Sequence, residues 1–259
     1  MSKKIYGKGV NDLPNLPTQR TIKNVNGGRT VIWTDKYYVS WTGLLKRLFC
    51  EKDLVKRPQY REVSIQPDWL KYSKYREWCI QQESKYEIDI KGLLLDKDIL
   101  SVGTKIYSPD TCIFVEVKLN NYVVDTGHGS KSCGSHWHER LGKYEACCTH
   151  PATSKRLSLG LFNTQEDGYQ VYLETKKDLC AILVEYISVG NTLYKKEIEK
   201  GLNNHYQNLL HENGVYQDYE ISVGGDVIVS GKSKTFCEKI LASFTKDFKN
   251  KATIKRREI

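Results

Sequence analysis

An α+β fold is what this sequence predicts, and three observations carry it. Apolar residues recur at helical spacing from Trp41 to Phe49. Leu157, Leu159 and Leu161 alternate as in a half-buried strand, and a helix start follows at Thr164. Near the end, YEISV and VIVS flank a Gly-Gly-Asp turn, the signature of a hairpin.

Taken in order, residues 1–30 are rich in Gly, Asn, Pro and Lys without periodicity, and read as an extended basic arm. Asn26, Gly27 and Gly28 mark a turn within it. Residues 31–125 form the next domain. Trp41, Leu44, Leu45, Leu48 and Phe49 line one helical face, Ser40 is placed to cap it, and Lys46, Arg47 and Lys52 lie off the stripe. A loop ending at Arg57-Pro58 follows. A second helix is expected from Pro67, because proline suits a first helical position and Asp68 complements the N-terminal dipole. Trp69, Tyr72, Tyr75, Trp78 and Cys79 give that helix an aromatic face whose spacing favours core packing.

Residues 126–190 read as a three-stranded meander (GSHWH, GKYEACC, KRLSLGLF) followed by a helix with Asp167 in its first turn. Residues 191–259 read as helix, hairpin, helix. Ile198, Leu202, Tyr206, Leu209 and Leu210 make the first stripe, closed by Asn213-Gly214. Phe236, Ile240, Phe244 and Phe248 recur every fourth residue in the last.

Composition excludes several classes. The chain has 259 residues, 27% charged and 39% hydrophobic, which fits a globular protein and not a disordered one. No run approaches a membrane span, and the first ten residues lack the apolar core of a secretory signal, so the expected setting is the cytoplasm. Eight cysteines are scattered without a C-x-x-C pair and read as reduced, mostly buried thiols. A zinc site from Cys133, His136, His138 and Cys148 is the alternative, although its spacing matches no familiar finger. The net charge of +9 sits at the ends, with 12 basic against 4 acidic residues in 1–60 and 9 against 3 in 232–259. Basic flanks around a mildly acidic centre suit a protein that grips a polyanion.

The stretch from Leu95 to Asn121 carries the site chemistry. Asp96 and Asp98 stand two apart, so on a strand both point to one face and could hold Mg²⁺, with Asn120 as a further ligand. Lys97 points the other way and, being cationic at pH 7, is no proton acceptor. Asp110 is expected where the helical part begins. The plainer alternative is that Asp96 and Asp98 cap turns or pair with Lys97 and Lys105.

The ordered set WTGLLKRLFC, Arg57-Pro58-Gln59-Tyr60, SIQPDW, REWC, LDKDIL, YSPDTC and LNN resembles phage-encoded HNH-like proteins related to homing endonucleases. GKGVND near the N-terminus is similar too, and the resemblance covers roughly residues 5–180. It implies a ββα-metal core in which Lys97 stands where a nuclease carries its histidine base. That core would be degenerate, with Asp96, Asp98, Asn120 and, as a substitute, His128 as the catalytic candidates. Gly142-Lys143-Tyr144-Glu145-Ala146 and Leu159-Gly160-Leu161-Phe162-Asn163-Thr164 resemble the ethylene-response-factor type of DNA-binding domain. There a sheet enters the major groove, which implies His136, Trp137, His138, Arg140, Lys143, Lys155 and Arg156 as contacts. The hairpin followed by Lys232 and Lys234 faintly resembles the end of a double-stranded-RNA-binding domain, without a full third strand.

The resulting expectation is a phage protein of the infected bacterial cytoplasm that grips double-stranded DNA through a small sheet and basic termini. RNA is the alternative nucleic acid. The rival expectations are an active Mg²⁺-dependent endonuclease and a factor that binds and inhibits a host protein.

Overall fold

The computed structural model describes residues 4–101, 103–123, 134–212, 219–223, 226–232 and 252–256. It is a mixed α+β structure with small sheets. The elements run β1 (Gln19–Lys23), β2 (Arg29–Thr34), α1 (Lys36–Phe49), α2 (Glu51–Lys56), β3 (Ser64–Ile65) and α3 (Tyr72–Tyr86). Next come β4 (Leu94–Asp96), β5 (Ile106–Tyr107), β6 (Ile113–Val115), α4 (Val117–Val123), β7 (Ser135–His138), β8 (Lys143–Thr149) and β9 (Arg156–Phe162). Then follow α5 (Gln165–Asp178), α6 (Cys180–Glu185), α7 (Thr192–Glu212), β10 (Tyr219–Val223), β11 (Asp226–Lys232) and β12 (Ala252–Arg256). They divide into two compact units, Met1–Val124 with Tyr186–Leu202 and Asp125–Glu185 with Asn203–Ile259. Among the described residues no helix is long and apolar enough to cross a membrane.

In the first unit, residues 10–12 are tied down and not part of a free arm. The Val10 amide donates to the Leu70 carbonyl at 2.8 Å, and the Tyr72 amide donates to Val10 at 3.0 Å. Asp12 accepts from the Ser73 amide at 2.8 Å and from its hydroxyl at 2.5 Å. β1 and β2 then pair as an antiparallel hairpin across the expected turn, where Gly27 adopts φ 79°.

α1 starts ahead of Ser40. Asp35 is the N-cap, accepting from the Tyr37 amide at 3.0 Å, and it also receives the Tyr72 hydroxyl at 2.5 Å. Ser40 instead bonds the Tyr75 hydroxyl from inside the helix. Trp41, Leu44, Leu45 and Leu48 are buried as their spacing predicts. The second helix is broken in two. Pro67–Leu70 is a 3₁₀ turn, and α3 begins only after Lys71, which is held extended (ψ 127°) by its bridge to Val10. The aromatic face is core. Trp69, Tyr72, Tyr75 and Trp78 are buried, Trp69 and Trp78 rings lie 4.6 Å apart, and the Trp41 indole donates to the Trp69 carbonyl at 2.7 Å.

β4 pairs antiparallel with β6 and α4 follows directly, while β5 runs parallel to β3. The first half of α7 belongs to this unit. Tyr194 donates to the Phe114 carbonyl at 2.7 Å, and Ile198 and Leu202 are fully buried.

In the second unit, β7, β8 and β9 form the expected antiparallel meander, with α5 packed across it. Thr164 caps α5, accepting from the Asp167 amide at 3.1 Å. Ala146, Phe162 and Val171 make the core between sheet and helix. The alternation of Leu157, Leu159 and Leu161 fails at its end. Register slips between Ala146↔Gly160 and Cys147↔Ser158, so Leu159 is the extra residue of a bulge. Side chains after it exchange faces, Phe162 turning inward and Leu161 outward at 45% exposure.

β10 and β11 form the expected hairpin, and β12 pairs with β10 on its other edge. The sheet therefore does have a third strand, supplied by residues the sequence pattern assigned to no element. The helix expected around Phe236–Phe248 and the Asn213-Gly214 stop lie outside the described residues.

Candidate nucleic-acid interface

The acidic candidates come first. Asp96 ends β4 because its own carboxylate turns the chain. One oxygen accepts the Asp98 amide at 2.8 Å and the Ile99 amide at 2.9 Å. The side chain is buried at 7% exposure. Burial pushes this carboxyl above the usual carboxylate range, and the Asp98 charge adds to that rise against the amide bonds. Asp98 lies beyond the strand, so the two carboxylates do not share a strand face as expected. It pairs with the Lys97 ammonium. Asp110 sits in a turn ahead of β6, and the helix begins only at Val117. Asn120 lies in α4, which packs near β4.

These residues do not fit Mg²⁺ well. One oxygen of Asp96 is taken up by two amides, and Lys97 already supplies the positive charge beside Asp98. Among the described residues no three His, Cys, Asp or Glu side chains gather in a metal-holding group. The zinc alternative meets a geometric obstacle as well. Cys148 is buried on the α5 side of β8, while His136 and His138 alternate with Ser135 onto the other side. His128 and Cys133 lie outside the described residues. The described cysteines are unbridged, and burial pushes the Cys112 thiol up to about 12.

The sheet offers a different surface. Lys143, Glu145, Cys147 and Thr149 alternate outward along β8, away from α5. His136 and His138 join them from β7. Arg156 reaches across this face, its guanidinium 3.6 Å from the Glu145 carboxylate and 3.3 Å from the His136 ring, which is 3.4 Å from Glu145 in turn. Arg156 remains 60% exposed at the side chain. Arg140 stands in the Glu139–Leu141 turn beside Lys143, and Lys155 in the opposite turn; all three are exposed. By strand rise, Lys143 and Thr149 are about 20 Å apart, so basic groups mark both ends of the strip.

Trp137 does not share this face. It is half-exposed but pairs with Tyr144, their rings 5.0 Å apart, on the helix side of the sheet. Glu145 was missed by the sequence reading, although its place between Lys143 and Cys147 in an alternating strand is the signal that could have found it. Lys232 closes β11, and Lys234 lies outside the described residues. No family model, curated protein or solved structure matches the chain.

Proposed function

We propose that this chain is a phage nucleic-acid-binding protein that grips duplex DNA through the outward face of β7, β8 and β9, on a scaffold derived from an HNH-type nuclease that no longer cuts. The observation that carries the reading is the exposed strip with Arg140 and Lys143 at one end, Lys155 at the other and Arg156 across its middle. Such a strip is narrow enough to lie in a major groove, where guanidinium groups read guanine edges and lysines meet phosphate. The Glu145 carboxylate steers Arg156 across the sheet and is itself placed to accept from a cytosine amino group.

The test is duplex retention by the full-length protein. Lys143→Ala with Arg156→Ala is expected to weaken binding at least about tenfold, since a bidentate base contact contributes ~1–3 kcal/mol. Unchanged binding would discard the sheet as the reader. A second reading, an active endonuclease, draws on the antiparallel β4–β6 pair and on α4 following β6, although β5 intervenes in the chain and pairs with β3. Supercoiled plasmid with Mg²⁺ in the same series separates the two. Nicking that disappears in Asp98→Ala would replace the binding reading by the enzyme.

A further inference from the structure

The first unit contains a cleft of about 1020 Å³ between the β1–β2 hairpin, α1 and the loop leading into β4. Its charge is one-sided. Arg20, Arg47, Arg76, Lys36 and Lys91 line it, against the single carboxylate of Asp35. Asp35 is already engaged by the cap of α1 and the Tyr72 hydroxyl. Two of the cations are also engaged. Lys36 pairs with Glu83 at 2.5 Å and Asp89 at 2.9 Å, and Arg47 donates to the Tyr107 hydroxyl at 2.9 Å. Arg20, Arg76 and Lys91 make no ion pair among the described residues. The Arg76 Nε is shut off from solvent and has no hydrogen-bond partner among the described residues, a desolvation cost the fold carries at this arginine.

Aromatic rings accompany those cations. Arg20 lies 5.6 Å from the Trp33 ring centroid, and Arg76 lies 5.0 Å from that of Tyr37. Trp33, Val31 and Val39 stay exposed at 44%, 51% and 52%, so the walls offer apolar surface to a ligand as well as charge. A groove that combines unpaired cations with an exposed aromatic ring, here Trp33, is the arrangement that tracks a phosphate backbone while a base stacks. The cleft is walled by the hairpin, by α1 and by residues 90–95.

We infer that this cleft binds a short single-stranded nucleic-acid segment, with phosphates against Arg20, Arg76 and Lys91 and a base on Trp33. It is a site of the first unit and does not use the sheet that reads duplex DNA.

Fluorescence anisotropy of the full-length protein with labelled octathymidylate tests it. Binding is expected, weakening about tenfold in Trp33→Ala and in Arg76→Gln, with Trp33→Phe retaining most of it. Trp33 lies on an exposed hairpin, so its loss leaves the buried core intact and duplex retention unchanged. Octathymidylate binding indifferent to both substitutions would overturn the inference, as would its absence at low salt. Thymidine monophosphate competing as strongly as the octamer would overturn it too, by making the cleft a nucleotide pocket instead of a strand path.

Discussion

Asp96 shows how one carboxylate can be consumed by architecture. Its oxygen holds the Asp98 and Ile99 amides at 2.8 and 2.9 Å, and the turn after β4 depends on it. Asp96→Ala should destabilise the fold by ~1–2 kcal/mol, whereas Asp96→Asn keeps the acceptor and should cost much less, both read from urea unfolding. The pH dependence has a definite sign. Burial raises this carboxyl above its ordinary 3.8, so between that value and the folded one the native state holds more protons than the unfolded chain. The stabilising effect of the protonated group is complete below 3.8 and fades as pH rises through the folded value. Asp96→Asn should flatten that slope, and an unchanged slope would mean that another carboxyl sets it. At this scale the sequence was legible wherever a residue acts through its own spacing, as with Trp41 or Thr164. It was not legible for Asp98, because the carboxylate beside it decides where the strand stops.

Elements are placed by close approach as well as by apolar stripes. Gly201, in α7, lies against the turn after β4, where an added Cβ would stand 2.5 Å from the Ile99 carbonyl oxygen. Backbone cannot yield as a flexible side chain can, so Gly201→Ala should destabilise by ~1–3 kcal/mol despite alanine's better helix propensity, measurable as a lowered urea midpoint. The stripes of α1, α3 and α7 were readable because 3.6-residue periodicity reports a buried face directly. Their boundaries were less so. Asp35 displaced Ser40 as cap because Tyr72 also binds it, and the Val10 bridge cut the helix expected from Pro67. The bulge at Leu159 had one local mark, Gly160 at φ 120° beside it, but only pairing with β8 shows which residue is extra.

Across the molecule, electrostatics links composition to the proposed activity. If the outward strip and the basic residues of the chain meet phosphates, duplex affinity should fall linearly with salt on logarithmic axes, and removing Lys143 should reduce that slope by about one. Retention that stays level between low and high salt would contradict the binding reading. The +9 charge and its placement were visible at once, as was the meander with its helix. The cleft was not, because Arg76 is far in the chain from the Arg20–Trp33 pair of the hairpin and only folding brings them to one hollow.

The order β11, β10, β12 puts Tyr219–Val223 in the middle of its sheet, paired on one side with a neighbour and on the other with residues 252–256. During synthesis that middle strand must wait, one flank bare, until the later partner has left the ribosome. The hairpin is thus open to capture by a stray strand in a nascent chain, and shortening the gene before codon 252 should turn a brief exposure into a permanent one.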